Sequence, residues 1–312
     1  MNVQRCPISY ELIEPTQKYS VNGLKMLSSR LSELHDLPFT AHELRQEARQ
    51  RATKMSIQGI QPKISAILNI TQNKFDLVDT KGHYILKLQT EDYAELPQNE
   101  DLTMRLAAMV GIEIPTHGMI YGKDGSLVYC IHRFDRLTRK NKLPVEDFAQ
   151  LSQHTRDTKY NSTMEKVITI IDKYCTFPQV EKQKIFLLTL FNFLIGNEDM
   201  HLKNFSVITR EGITTLSPAY DLLNTTIAIG NAKEEIALPL NGKKNNLTHK
   251  DFISYFGQTK LDLPESVIIK TLSLLNAQLS SWQTLIRHSF LSTEMQDKYL
   301  TLLQKRAEIL LR

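Results

Sequence analysis

A polar turn behind a long apolar run is the feature that most constrains the fold of this chain. The turn reads Leu194-Ile-Gly-Asn-Glu-Asp-Met-His-Leu-Lys-Asn-Phe-Ser206 and follows the apolar residues 185–193. This order predicts a buried helix, a turn and a short strand. Asp199 and Asn204 have the spacing of a kinase catalytic loop, in which the Asp accepts a proton and the Asn binds Mg²⁺. Alone, the spacing is equally typical of an ordinary polar loop in which Asp, Asn and Gly form turns.

Composition narrows the class of protein without naming it. The chain has 312 residues, 41% of them hydrophobic and 23% charged, which suffices for two domains or one two-lobed domain. A net charge of +4 without a basic tail argues against a dedicated nucleic-acid binder. The three scattered cysteines suggest neither a disulfide framework nor a zinc site, and they favour a reducing cytosol. With no apolar signal core and no membrane-length run, the sequence predicts a soluble, cytoplasmic protein.

The order of predicted elements changes near residue 136. Before it, strands are predicted at residues 63–70, 74–78, 83–88, 116–121 and 126–131, and helices at 24–34, 40–53 and 98–110. After it, helices are predicted at 145–152, 164–174, 180–195 and over most of 250–312, with two short strands around Gly212. We therefore predict an α+β, two-lobed, protein-kinase-like fold. Its lobes are a β-rich N-terminal lobe, residues 1–135, and a helical C-terminal lobe, residues 136–312.

Four further residues occur in the order that a kinase requires. Gly59 could let phosphate oxygens approach backbone N–H groups, although an ordinary turn also explains it. Lys87 lies in an apolar strand, where it either holds phosphates or faces solvent. Glu100 could orient that lysine or simply favour a helix N-terminus. Asp221 could be a second metal ligand or a helix N-cap. Because loop, lysine, acid, Asp-Asn turn and second acid follow in sequence, the kinase interpretation is favoured.

Several motifs resemble those of the HipA family. They are Ser56-Ile-Gln-Gly-Ile-Gln-Pro-Lys63, Tyr84-Ile-Leu-Lys87, Ile131-His-Arg-Phe-Asp-Arg136, Leu143-Pro-Val-Glu-Asp-Phe148, the turn at residues 194–206 and Leu216-Ser-Pro-Ala-Tyr-Asp221. HipA proteins are bacterial serine/threonine kinase toxins with a fold related to phosphatidylinositol kinases. The resemblance extends from about residue 50 to residue 312.

The resemblance implies a role for each matching residue. Asp199 would be the catalytic base, Asn204 and Asp221 would hold Mg²⁺, and Glu100 would orient Lys87. ATP would be bound by a phosphate loop (Gln58, Gly59, Ile60, Gln61, Pro62 and Lys63), by Lys87, by a hinge (His132, Arg133 and Phe134), and by His201, Lys203 and Tyr220. Ser56 would be autophosphorylated, and the added negative charge beside the ATP phosphates would switch the kinase off.

Three features depart from the family pattern. Only 55 residues precede Ser56, which makes the chain similar to HipT, a short form that acts with a small HipS-like protein and a HipB-like DNA-binding antitoxin. His132 replaces the acid expected in the hinge, and this leaves adenine recognition there open. Gln58 stands where some relatives carry a second phosphorylatable serine.

The implied substrate is an aminoacyl-tRNA synthetase, whose phosphorylation would arrest translation. No direct nucleic-acid or membrane partner is expected. One alternative is a catalytically inactive pseudokinase that serves as a binding module in a repressor complex. The retention of Lys87, Asp199, Asn204 and Asp221 argues against it. The other alternative is a small-molecule kinase on the same fold.

Overall fold

The computed structural model describes residues 4–51, 61–136, 141–155, 157–230 and 233–311. The chain divides into two compact units. Unit 1 comprises Met1–Leu102, Pro115–Lys142 and His288–Leu291, and unit 2 comprises Thr103–Ile114, Leu143–Arg287 and Ser292–Arg312. The domain boundary near residue 136 stays a prediction. The two units are compact, but compactness alone does not define regions that fold separately.

Unit 1 begins with a short hairpin and two helices. The hairpin pairs β1 (Gln4–Arg5) with β2 (Leu12–Ile13), and the helices are α1 (Val21–Leu27) and α2 (Ala41–Arg51). Helix α2 starts with a capping box: Thr40 N donates to Glu43 Oε2 over 2.8 Å, and Glu43 N donates to Thr40 Oγ1 over 3.3 Å. These reciprocal bonds satisfy two N–H groups that a helix start otherwise leaves unpaired.

A five-stranded antiparallel sheet forms the centre of unit 1. Its order is β4–β3–β5–β7–β6, with β3 at Lys63–Asn69, β4 at Lys74–Val78, β5 at Tyr84–Lys87, β6 at His117–Tyr121 and β7 at Leu127–His132. Helix α3 (Leu96–Met109) follows β5, and its residues up to Leu102 belong to unit 1. All five strands and this helix were predicted to within two residues at each end.

Unit 2 combines a small sheet with helices. The sheet has the order β10–β9–β8, with β8 at Val145–Asp147, β9 at Ser206–Arg210 and β10 at Ile213–Leu216. The helices are α4 (Phe148–Leu151), α5 (Met164–Tyr174), α6 (Pro178–Ile195), α7 (Thr225–Ile229), α8 (Glu265–Arg287) and α9 (Thr293–Leu310), with a π-helical segment at Asp251–Lys260. The apolar run predicted to form a buried helix lies within α6, which packs against α9. Phe191 and Phe193 of α6 meet Trp282 and Phe252 at ring-centroid distances of 5.6 and 4.6 Å.

Two helix predictions were wrong in extent. Helix α1 ends at Leu27, where Ser28 turns to an extended conformation, although Leu31 and Leu34 are still buried. The leucine spacing at residues 24–34 therefore reported burial and not helix. At residues 145–152, Asp147 and Gln150 form a capping box, so the helix starts only at Phe148 and the preceding residues pair with β9 as strand β8. Among the described residues, no helix has both the length and the apolarity needed to cross a membrane.

Candidate active site

In unit 1, a buried ion pair joins the strand lysine to the first half of α3. Lys87 is 5% exposed at the end of β5, and its Nζ lies 2.5 Å from Oε1 of Glu100, which is 1% exposed. A charge buried at this depth costs free energy unless an opposite charge compensates it. The structure thus brings together the two residues that we predicted to act as a pair, and it excludes the solvent-facing alternative for Lys87.

A second lysine lies opposite Lys87 in the sheet. The register of β3 and β5 pairs Lys63 with Lys87, so both side chains leave the same face of the sheet. Two like charges at facing positions repel each other, and an anion nearby relieves that repulsion. The chain before Lys63 is tied to the same strand end, because Gln61 Nε2 donates to the Leu88 carbonyl over 3.0 Å and Leu88 N donates to the Pro62 carbonyl over 3.0 Å. The other predicted loop residues, Gln58, Gly59 and Ile60, and the predicted autophosphorylation site Ser56 lie outside the described residues.

The predicted hinge follows β7. The N–H of His132 donates to the Thr116 carbonyl over 2.8 Å, and the N–H of Arg133 donates to the His83 carbonyl over 2.7 Å. These two N–H groups are therefore committed within unit 1. Arg133 also makes a two-point contact with Asp135, at 3.0 and 2.8 Å. Burial, and the neighbouring His83, lower the pKa of His132, so this side chain is neutral at neutral pH. Phe134 comes next in the chain.

Sequence reasoning missed a second buried polar pair beside the first. Asp101 and His117 are 0% and 5% exposed, and Oδ1 of Asp101 lies 2.9 Å from Nδ1 of His117. The ring of Tyr129 lies 5.7 Å from the His117 ring and 5.8 Å from Lys87 Nζ. Neighbouring residues Glu100 and Asp101 thus each meet a cation or a histidine on the sheet. No local motif could have revealed the Asp101–His117 contact, since it depends on the register of β6.

In unit 2, the predicted catalytic turn is fixed by its own polar groups. Helix α6 ends at Gly196, which adopts a left-handed conformation with φ of 73°. The carbonyl oxygen of Asp199 accepts from His201 N over 2.8 Å and from Asn204 Nδ2 over 2.9 Å. The N–H of Asp199 donates to Asn197 Oδ1 over 3.1 Å. Backbone and amide bonds therefore hold the turn without the carboxylate of Asp199, a residue that is partly buried.

Asp221 is not a helix N-cap. Helix α7 begins at Thr225, and Asn224 caps it by accepting from Ile227 N over 3.1 Å. Asp221 itself adopts a left-handed conformation with φ of 56°, which is uncommon for a residue other than glycine. Its carbonyl oxygen lies 3.5 Å from Asn197 Nδ2, which connects it to the catalytic turn. One carboxylate and one amide oxygen, from Asp221 and Asn204, are the donors that suit Mg²⁺ held partly by phosphates.

Three other predicted residues lie in this turn or contact it. Lys203 Nζ lies 3.0 Å from Asp147 Oδ2, and the hydroxyl of Tyr220 donates to the Lys203 carbonyl over 3.0 Å and also contacts the Ser206 hydroxyl. Burial lowers the pKa of His201, and the nearby Lys159 ammonium lowers it further against the opposing effect of Asp199. The imidazole is therefore neutral at neutral pH.

The tautomer of His201 follows from its neighbour. Nε2 lies 2.6 Å from Lys159 Nζ, and an ammonium group only donates, so Nε2 is the acceptor and the proton is on Nδ1. Nδ1 is buried and has no hydrogen-bond partner among the described residues. A buried N–H donor without an acceptor costs free energy, and a ligand oxygen would satisfy it. This geometry fits the predicted contact between His201 and ATP.

Two residues at this turn were not found from the sequence. Lys159 contacts His201 as described, and the Tyr160 hydroxyl donates a hydrogen bond to Oδ1 of Asp199. Both lie some 40 positions before the turn, in a segment that matches none of the recognised motifs.

The architecture is that of a kinase-like fold. It is similar to a chain in the solved complex of HipA, HipB and operator DNA from Shewanella oneidensis, with a TM-score of 0.70, 21% identity and coverage of 89% of this chain and 72% of that one. It is also similar to the Helicobacter pylori kinase CtkA, with a TM-score of 0.59, 17% identity and coverage of 83% and 91%.

The family follows from the sequence comparison. Residues 55–282 match the model of the HipA-like C-terminal domain, and the chain belongs to this family. A Haemophilus influenzae protein named as a kinase is 29% identical over 69% of this chain and 67% of its own length. A Sinorhizobium fredii protein named as a kinase is 32% identical over 77% and 62%. The serine/threonine-protein kinase toxin HipA of Shewanella oneidensis is 27% identical over 55% and 43%. The chain therefore spans from 43% to 67% of the length of these relatives.

Proposed function

We propose that this chain is an ATP- and Mg²⁺-dependent serine/threonine protein kinase. The observation that carries the proposal is the bond from Asn204 Nδ2 to the Asp199 carbonyl over 2.9 Å. It uses the donor end of the amide and leaves the acceptor end, Oδ1, for a cation. The same turn thus presents a carboxylate that can take a proton and an amide oxygen that can take a metal ion.

The proposed reaction assigns one task to each group. Asp199 accepts the proton of the substrate hydroxyl as its oxygen bonds to the γ-phosphorus and the bond to the β–γ bridging oxygen breaks. Asn204 and Asp221 hold Mg²⁺, which neutralises charge on the phosphates. Lys87, oriented by Glu100, contacts the phosphates together with residues 58–63.

The remaining ATP contacts are part of the same proposal. The His201 Nδ1–H donates to a phosphate oxygen, and Lys203 and Tyr220 line the nucleotide. The hinge at residues 132–134 contacts adenine. Since the N–H groups of His132 and Arg133 are already used, adenine would be read there by other groups of the hinge.

A role as a toxin is a further part of the proposal. It is supported by membership of the HipA-like family and by the similarity to a chain of the Shewanella HipA–HipB–DNA complex. We propose a HipB-like antitoxin and a HipS-like small protein as partners, an aminoacyl-tRNA synthetase as substrate, and autophosphorylation of Ser56 as the off-switch. We also propose that the protein acts in the cytoplasm, since the thiols of Cys6, Cys130 and Cys175 are buried and free, as in a reducing compartment.

Intact-mass spectrometry after incubation with Mg-ATP tests this function. We expect a phosphate adduct on the wild type that maps to Ser56 and is absent from Asp199→Asn and from Ser56→Ala. An adduct on Asp199→Asn would exclude Asp199 as the base. ATP binding without any adduct, and without phosphorylation of added casein, would favour the pseudokinase or the small-molecule kinase.

A further inference from the structure

Residues 159 and 160 contact the catalytic turn at four points. Lys159 Nζ contacts His201 Nε2 at 2.6 Å, and the Lys159 carbonyl accepts from Leu202 N over 3.3 Å. The Tyr160 ring meets the His201 ring edge-on at 5.0 Å, and the Tyr160 hydroxyl donates to Asp199 Oδ1. Lys159 Nζ also lies 4.9 Å from the centre of the Tyr160 ring. The contacts of Lys159 and of the Tyr160 ring hold the segment in place. The Tyr160 hydroxyl, in contrast, contacts the Asp199 carboxylate, which we assign as the base.

The hydrogen bond from the Tyr160 hydroxyl to Asp199 is of the kind that a substrate hydroxyl makes with a general base. A general base must accept a hydrogen bond from the hydroxyl that it deprotonates. In this structure a hydroxyl of the protein itself makes that bond. Burial, and then the Asp199 carboxylate, raise the pKa of Tyr160, so its hydroxyl keeps its proton and remains a donor.

We infer that Tyr160 occupies the position of the acceptor hydroxyl on Asp199 and that a substrate serine or threonine must displace it. Tyr160 is thus an access residue of the acceptor site, and this inference rests on the proposed kinase function. Tyr160 is 38% exposed, so rotation of its side chain away from Asp199 moves the ring into solvent without opening the core.

The arrangement has a consequence for water. With no acceptor bound, the hydroxyl of Tyr160 prevents a water molecule from taking the same position on Asp199. ATP hydrolysis without an acceptor is therefore suppressed. Selectivity follows as well, because only a chain that can compete for Asp199 and accommodate the displaced ring reaches the base.

The variant Tyr160→Phe isolates the hydroxyl, since the ring can still contact His201 and Lys159. The matched control is Tyr174→Phe. Tyr174 also has a lysine, Lys173, 4.9 Å from its ring centre, but its hydroxyl donates to the Leu151 carbonyl over 3.3 Å, away from the turn.

Rates of phosphate release from Mg-ATP, with and without dephosphorylated casein, test the inference. A hydrogen bond to a charged group contributes enough to change a rate at least tenfold, so we expect acceptor-free hydrolysis by Tyr160→Phe to rise by about tenfold. The KM for casein should fall, and Tyr174→Phe should match the wild type. Equal rates in Tyr160→Phe and wild type, a slower Tyr160→Phe enzyme, or phosphate mapped to Tyr160 itself would overturn the inference.

A second readout does not depend on catalysis. In protein labelled with 3-fluorotyrosine, the ¹⁹F resonance of Tyr160, assigned with Tyr160→Phe, should titrate at a lower pKa in Asp199→Asn, while the Tyr174 resonance stays unchanged. An unchanged Tyr160 resonance would refute the contact. If the contact is present but neither wild type nor Tyr160→Phe transfers phosphate to casein, to Ser56 or to water, the proposed function fails and the access role fails with it.

Discussion

Gly196 and Thr226 are joined twice, because both the backbone N–H and the hydroxyl of Thr226 donate to the Gly196 carbonyl oxygen, over 3.1 and 3.0 Å. The Thr225 hydroxyl adds a third bond to the same oxygen over 3.2 Å. The residue that ends helix α6 is thereby attached to the start of helix α7. Gly196 lies within the catalytic turn at residues 194–206, so the anchoring of that turn depends on this contact.

The first prediction is that Gly196→Ala destabilises unit 2 more than Gly230→Ala does. Both glycines end a helix in the left-handed conformation, with φ of 73° and 78°. Each alanine therefore incurs about 1 kcal/mol of backbone strain. At Gly196 the new Cβ would also contact Leu302 Cδ2 and lie 2.9 Å from Asn224 Oδ1 and 3.0 Å from Thr226 Oγ1. At Gly230 no described atom beyond its chain neighbours lies within 4 Å.

Denaturant unfolding measures the difference. Displacement of the Asn224 cap adds about 1 kcal/mol, so Gly196→Ala should lose at least about 2 kcal/mol in total. Equal losses in the two variants would show that Leu302, Asn224 and Thr226 adjust without cost.

The second prediction concerns the buried pair of Lys87 and Glu100. Glu100→Gln removes the carboxylate that compensates a buried ammonium, and this should lower the free energy of unfolding by about 3 kcal/mol. Glu294→Gln is the control, because Glu294 and Lys298 form an exposed pair at 2.6 Å whose loss should change the stability far less. Urea titrations of the two variants would give the comparison. Similar midpoints would mean that Lys87 is stabilised mainly by groups other than Glu100.

The third prediction concerns the protonation of His201. Its folded pKa is lowered, so at acid pH the unfolded chain binds a proton that the folded chain does not. The stability from the neutral imidazole is therefore complete above the unfolded pKa of about 6.5, and it is lost as pH falls from there toward the folded pKa.

Removal of the neighbouring charge in Lys159→Met should raise the pKa of His201 and narrow that window. An NMR titration of the histidine ring protons, assigned with His201→Asn, would show the shift. Lys173→Met is the control, since Lys173 also lies over a tyrosine ring but away from the turn. A pKa that does not change in Lys159→Met would mean that burial alone lowers it.

The fourth prediction separates the two ends of the Asn204 amide. Asn204→Asp keeps an oxygen for Mg²⁺ but loses the donor to the Asp199 carbonyl, whereas Asn204→Ala loses both. We expect Asn204→Ala to raise at least tenfold the Mg²⁺ concentration needed for binding of a fluorescent ATP analogue, and Asn204→Asp to raise it far less. Phosphoryl transfer should fall in both variants. If Mg²⁺ dependence were the same in the wild type and in Asn204→Ala, Asn204 would not be a metal ligand.

Contacts in the site could be predicted from the sequence where both residues lie close in the chain or in regular elements. Asn204 reaches Asp199 within one turn, and Glu100 meets Lys87 across the short connection from β5 to α3. Both contacts follow from local spacing. Lys87 itself was ambiguous, because alternation in a four-residue strand does not tell which face is buried.

Contacts that depend on tertiary register could not be predicted. The partner of Asp101 is set by the position of β6, and Tyr160 reaches Asp199 from an irregular segment without a periodic pattern. The local apolar pattern of residues 145–147 predicts a helix, but their pairing with β9 makes them strand β8. In each case a segment distant in the chain determines the contact or the conformation, and the local sequence does not indicate it.

Lys63 and Lys87 face each other across β3 and β5, so their relation depends on whether the number of residues in β3 changes by an odd or an even number. Because side chains alternate along a strand, one residue inserted between Lys63 and the middle of β3 would turn Lys63 to the opposite face, whereas two would return it. An insertion at that end of the strand therefore keeps Lys63 on the same face as Lys87 only if it has an even number of residues. The turn at residues 70–73 lies beyond the other end of β3, so an insertion there leaves the facing positions of Lys63 and Lys87 unchanged whatever its length.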